Sequence, residues 1–106
     1  MATTSIIDKL QVLTELYKQG YQSHLLEQSL NKIIELEQEN TFKKIQEFII
    51  KLQAYEQKYQ LSSEQFYQQF IAGQLGDSMD FFEWSSFYDM YQAAQSRLLV
   101  LQSLNN

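Results

Sequence analysis

The chain has 106 residues, 44% of them hydrophobic and 14% aromatic, enough for one modest core and too apolar for a disordered segment. It contains no cysteine, which excludes disulfides, thiolate zinc sites and thiol nucleophiles. A formal net charge of −5 without clustered Lys and Arg argues against a nucleic-acid partner, whose phosphates require such a cluster.

Met1-Ala2-Thr3-Thr4-Ser5 lacks the basic and apolar pattern of a signal peptide, and no run of about 18 apolar residues occurs. A cytoplasmic protein without a membrane span is therefore expected. Charge is unevenly spread. Residues 61–106 carry only Arg97 against Glu64, Asp77, Asp80, Glu83 and Asp89, so a basic protein surface is the natural complement of this half.

With no proline and only Gly20, Gly73 and Gly76, few points can interrupt a helix. The first helix is expected after Ser5, because Ser5-x-x-Asp8 has the form of a capping box and Ile6, Leu10, Leu13 and Tyr17 follow at helical spacing. Gly20 is its expected stop.

Ser23 can cap the next helix. At about 100° per residue, Leu26, Leu30, Ile33 and Ile34 share a face with Ile45, Phe48, Leu52, Tyr55 and Tyr59. The phase survives Glu39-Asn40-Thr41 and favours one helix, although Glu37, Thr41 and Lys44 occupy that face in its middle. Such a helix would be roughly 55 Å long, more than a small core can cover. It is expected to project, to bend near Asn40, or to pair with a second copy through Ser23–Gln60.

Leu61-Ser62-x-x-Gln65-Phe66 marks the third helix, with Ser62 as N-cap, Gln65 at the third helical position, and Leu61 with Phe66 as a hydrophobic staple. Gly73 is its expected stop. Met79-Asp80-x-x-Glu83-Trp84 repeats the arrangement, which nominates Asp80 as the cap of a fourth helix, Glu83 as its partner, and Met79 with Trp84 as staple; Asp77 is a rival cap. Phe81, Trp84, Phe87, Tyr91, Ala94, Leu98 and Leu101 then form the core stripe, with Phe82 and Val100 almost opposite.

The expected architecture is thus all-α: a single domain built as a small bundle with one long central helix, a hairpin-like part over 1–60 and a capped, aromatic, acidic module over 61–106.

No catalytic constellation emerges. Asp77, Asp80, Glu83 and Asp89 lack the spacing of a calcium loop and are explained by capping. His24 stands alone, and no nucleophile elbow, phosphate loop or dinucleotide fingerprint occurs. Lys43, Lys44, Lys51 and Lys58 are interspersed with Glu39, Glu47 and Glu56, the pattern of a solvated helix face. No cofactor or metal is implied. Phe82, Tyr88, Tyr67 and Asp89 are the candidate partner-binding residues, since aromatics beyond the needs of a core provide hot-spot contact area.

The stretch from Ser62 to Tyr91 joins a Ser-Ser-Glu opening, Phe66 and Phe70, a Gly-x-Leu-Gly-Asp turn, and Asp-Phe-Phe-Glu-Trp before a Tyr-rich helix. In these features it resembles the C-terminal module of small bacterial helical proteins described as antitoxins of toxin–antitoxin pairs. The resemblance implies a cytoplasmic protein that binds and neutralises a small toxin. Antitoxins commonly add a basic DNA-binding element, which this chain lacks. The alternative expectation is a self-associating structural or adaptor protein with no toxin partner.

Overall fold

The computed structural model describes residues 4–104, and within them every regular element is helical. The order is α1 (Ile6–Lys18), α2 (His24–Tyr59), α3 (Ser63–Ile71) and α4 (Met79–Leu101). The chain divides into two compact units, Met1–Ile33 and Ile34–Asn106. The dividing line falls inside α2, whereas the sequence suggested a change of character after residue 60. Helical hydrogen bonding runs through Asn40 without interruption.

In the first unit, local chemistry fixes both ends of α1. Ser5 Oγ accepts the Asp8 N–H at 3.1 Å while Asp8 Oδ2 accepts the Ser5 N–H at 3.3 Å, a reciprocal capping box. At the other end Gly20 has φ +90°, and the Gly20 and Tyr21 N–H groups return to the Tyr17 and Leu16 carbonyls, a Schellman motif. Ser23 Oγ then accepts the Leu26 N–H at 3.1 Å and starts α2. The Tyr17 hydroxyl accepts the Ser23 N–H at 3.0 Å and lies 2.9 Å from the Glu27 carboxylate, holding α1 to the first turn of α2.

The second unit is organised by two antiparallel stretches. On α2, Ile34, Gln38, Thr41, Ile45, Phe48, Leu52, Tyr55 and Tyr59 are buried or half-buried, alternating steps of four and three. On α4 a similar run of threes and fours passes through Phe81, Trp84, Phe87, Tyr91, Ala94, Leu98 and Leu101, the stripe read from the sequence. This is the spacing that keeps one seam of a helix facing its neighbour. Tyr59 meets Phe81 at 5.2 Å between ring centroids, Tyr55 meets Trp84 at 5.6 Å, and Phe48 meets Phe87 at 6.4 Å. At the far end Gln38 Nε2 donates to the Leu101 carbonyl at 2.7 Å.

The polar middle of α2 is therefore not bare. Thr41 is 2% exposed and small enough to sit in the seam, and Gln38 satisfies an orphan carbonyl at the end of α4. Glu37 and Lys44, placed on the same face by phase, remain exposed.

Between the two long stretches, α3 is set by its ends. Ser62 Oγ accepts the Gln65 N–H at 3.1 Å, and Leu61 packs against the cluster that contains Phe66. Gly73, at φ +73°, ends α3 in a second Schellman motif, with the Gly73 N–H on the Phe70 carbonyl and the Gln74 N–H on the Gln69 carbonyl.

The start of α4 departs from expectation. Ser78, not Asp80 or Asp77, is the N-cap, its Oγ accepting the Phe81 N–H at 3.2 Å. Asp80 lies inside the first turn because its carboxylate is taken by the end of α2, as described below. Glu83 consequently falls beyond the capping positions, and Met79, 80% exposed, makes no staple with the fully buried Trp84.

The end of α2 supplies a direct test of backbone strain. Gln60 has φ +53° without being glycine, a left-handed residue needed to turn the chain into α3. The conformation costs a side-chain-bearing residue roughly 1–2 kcal/mol, more than glycine's extra unfolded-state entropy. Gln60→Gly is therefore expected to stabilise the chain by ~0.5–1 kcal/mol in denaturant unfolding; a loss of stability would show that the Gln60 side chain matters more than its backbone.

Candidate interaction surface

The C-terminal module is built around Trp84. Its ring is 0% exposed and lies parallel to Phe66, with centroids 3.8 Å apart, and Tyr55 and Tyr59 stack on it at 5.6 and 5.7 Å. The indole N–H donates to the buried Ser63 Oγ at 2.9 Å, and the Ser63 N–H donates to Glu56 Oε2 at 2.8 Å. One chain of hydrogen bonds thereby joins α4, α3 and α2. Burial pushes the Tyr55 hydroxyl up to about 12, with the Glu83 carboxylate adding to the effect.

Asp80 is the second joint. Its Oδ2 accepts from Lys58 Nζ at 2.6 Å and from the Tyr59 hydroxyl at 2.5 Å. These bonds, that from Lys58 first, hold the Asp80 carboxyl below its ordinary value, and the same contact raises the Lys58 ammonium. Asp80 is thus occupied by structure, at a position that also suits the positive end of α4.

The four residues nominated for partner binding separate into two groups. The Tyr67 hydroxyl donates to Asp89 Oδ1 at 2.5 Å, which raises the tyrosine above its ordinary range. Tyr88 packs its ring 4.9 Å from Tyr67, is half-buried, and has its hydroxyl raised chiefly by desolvation. These three form a joint between α3 and α4. Phe82 is different, being 66% exposed on the side of α4 away from the core.

One further side chain on this face is not used by the core. Met79, three residues earlier, is 80% exposed. Asp77 and Glu83 are also exposed. The result is an exposed apolar anchor with acidic residues near it in sequence. Among the described residues no group of three or more His, Cys, Asp or Glu could hold a metal ion, and no helix is long and apolar enough to cross a membrane.

Sequence reasoning missed Ser63, Glu56 and the Lys58–Tyr59 pair. Ser63 sits beside a stronger cap, Ser62, and nothing local distinguishes the serine that meets the indole. The available signal was Trp84 itself, since a core tryptophan demands an acceptor for its N–H.

No protein-family model matches the chain, and no curated protein or solved structure shows significant similarity to it.

Removing the central ring and removing its acceptor should differ in size. Trp84→Ala is expected to cost ~3–5 kcal/mol through the cavity it leaves. Ser63→Ala, which strands the indole N–H, should cost about 1–3 kcal/mol. Denaturant titrations of both variants decide whether the hydrogen bond or the stacking dominates.

The tyrosines and Asp80 also set the pH limits. Tyr55, Tyr59, Tyr67 and Tyr88 are all raised above the ordinary value of 10.0, so their contribution is complete below that pH and is lost as the solution climbs through the folded-state values, with Tyr55 last near 12. Asp80 is lowered from 3.8, so its contribution is complete above that pH and is lost as acid passes through the depressed value. Thermal midpoints should fall in both windows, and the gap between wild type and Asp80→Asn should close at the acid end.

Proposed function

We propose that this chain is a non-enzymatic, cytoplasmic protein-binding module of antitoxin type, which neutralises a small basic protein through the side of α4 that carries Phe82. The observation that carries the reading is the 66% exposure of Phe82 beside an aromatic core that is complete without it. An exposed phenylalanine on a rigid helix offers contact area at little cost in conformational entropy.

Two further features support it. The acidic balance of residues 61–106 steers a basic partner to this half of the chain, and the exposed Asp77 and Glu83 stand within a few residues of the anchor in sequence. The stretch Ser62 to Tyr91 also resembles, in the order of its motifs, the C-terminal modules of antitoxins. Neutralisation of this kind needs no chemistry from the binder, only occlusion of the partner's working surface. Tyr67, Tyr88 and Asp89 contribute by fixing α3 against α4, which keeps the anchor in a defined orientation.

Coexpression with the product of the adjacent gene tests the proposal. That product alone should arrest growth, wild-type chain should relieve the arrest, and Phe82→Ala should relieve it poorly, with binding weakened by at least ~2 kcal/mol and an unchanged melting temperature. A harmless neighbour, or equal protection by both forms, would sink the reading.

A further inference from the structure

The first unit poses a separate problem. Among residues 4–33 no side chain is buried, and α1 has no buried residue at all. Its apolar residues are nevertheless numerous: Ile6 is 72% exposed, Ile7 64% and Leu10 47%. Between α1 and the start of α2 an open groove of about 660 Å³ is lined chiefly by Leu10, Leu13, Tyr17, Leu26 and Leu30. Two helices side by side form one layer, and a layer becomes a core only when a second layer covers it.

A unit of this size is normally completed by disulfides, a metal or association. The chain has no cysteine, and the described residues contain no metal-binding cluster. Association is the remaining route. Charge indicates with what. Residues 1–33 hold Asp8, Glu15 and Glu27 against Lys9, Lys18 and Lys32, three of each and net zero, so the whole of the −5 resides in residues 34–106. A basic partner gains nothing from a neutral apolar face. Two copies of that face can meet without the repulsion that the remainder of this acidic chain would impose.

We infer that a second copy of this chain covers the groove, hairpin on hairpin, forming a four-helix layer pair across a two-fold axis. The arrangement is isologous, so it closes at two copies. It differs from pairing along the whole of Ser23–Gln60, because α2 beyond residue 33 already has α4 against its apolar seam. A hairpin face of about 20 Å by 20 Å, from helices of this length and ~10 Å width, covers about 800 Å² over both copies, below the ~1,200 Å² of standard interfaces, so the dimer is a weak, reversible one that dissociates in the micromolar range or above. The inference is independent of the Phe82 reading, since that residue lies in the other unit.

Sedimentation equilibrium of the full chain tests it. Wild type should move reversibly from 12.6 kDa to twice that mass over the micromolar range. The double variant Ile6→Glu/Ile7→Glu changes only exposed positions and introduces a better helix former than isoleucine, so it does not weaken α1 by propensity. It should raise the dissociation constant at least tenfold, as should Leu10→Glu. Phe82→Ala should leave the constant unchanged. Trp84 fluorescence, which originates wholly in the second unit, should be the same for every form and so separates loss of pairing from global unfolding. Monomer at all concentrations, assembly beyond two copies, or a constant unmoved by either glutamate variant would overturn the inference.

Discussion

A tryptophan can be enclosed within a chain of this size only if both ring faces are covered and its N–H has an acceptor. Trp84 meets these conditions through other helices: Phe66 and Ser63 from α3, Tyr55 and Tyr59 from α2. Because Ser63 also donates its backbone N–H to Glu56, the acceptor is itself fixed. The position of the indole therefore sets the register of α4 along α2 and the seat of α3 between them. The seam from Tyr59–Phe81 to Gln38–Leu101 follows from that register, since helical steps of three and four carry the same alignment along both helices.

The two units represent opposite solutions to the shortage of buried surface in a small protein. The second concentrates aromatic rings in one cluster, where stacking and area burial reinforce each other. The first has aliphatic side chains in plenty but only one layer on which to arrange them. Binding surfaces arise in both for this reason, and they differ in kind. Phe82 is surplus to a finished core, whereas Leu10, Leu13, Leu26 and Leu30 belong to an unfinished one.

How far the sequence could be read depended on the range of the interaction involved. Ser5, Gly20, Ser23, Ser62 and Gly73 act on neighbours within a few residues, and each stands where local pattern put it. Helical phase was equally informative: it set Phe82 opposite the core stripe, and the side chain is exposed. Asp80 was misread because its carboxylate is engaged by Lys58 and Tyr59, more than twenty residues away, and the cap passed to Ser78. Tyr67, Tyr88 and Asp89 were legible as unusual but not as mutual partners, since their pairing depends on how α3 meets α4. The polar middle of α2 was obscure for the same reason, because a buried Thr41 and a carbonyl-seeking Gln38 make sense only once the end of α4 is beside them.

Each of α1 to α4 begins on a serine hydroxyl: Ser5, Ser23, Ser62 and Ser78. A serine hydroxyl does not titrate in the range where proteins live, so these caps keep their form as acidity changes. The contacts that join helices are of another type, with carboxylates at Glu56, Asp80 and Asp89 receiving bonds from neighbouring elements. Of these, Asp80 is held below its ordinary value by Lys58 and Tyr59, so acid that protonates it loosens the joint of α4 to α2 and leaves the serine caps as they are.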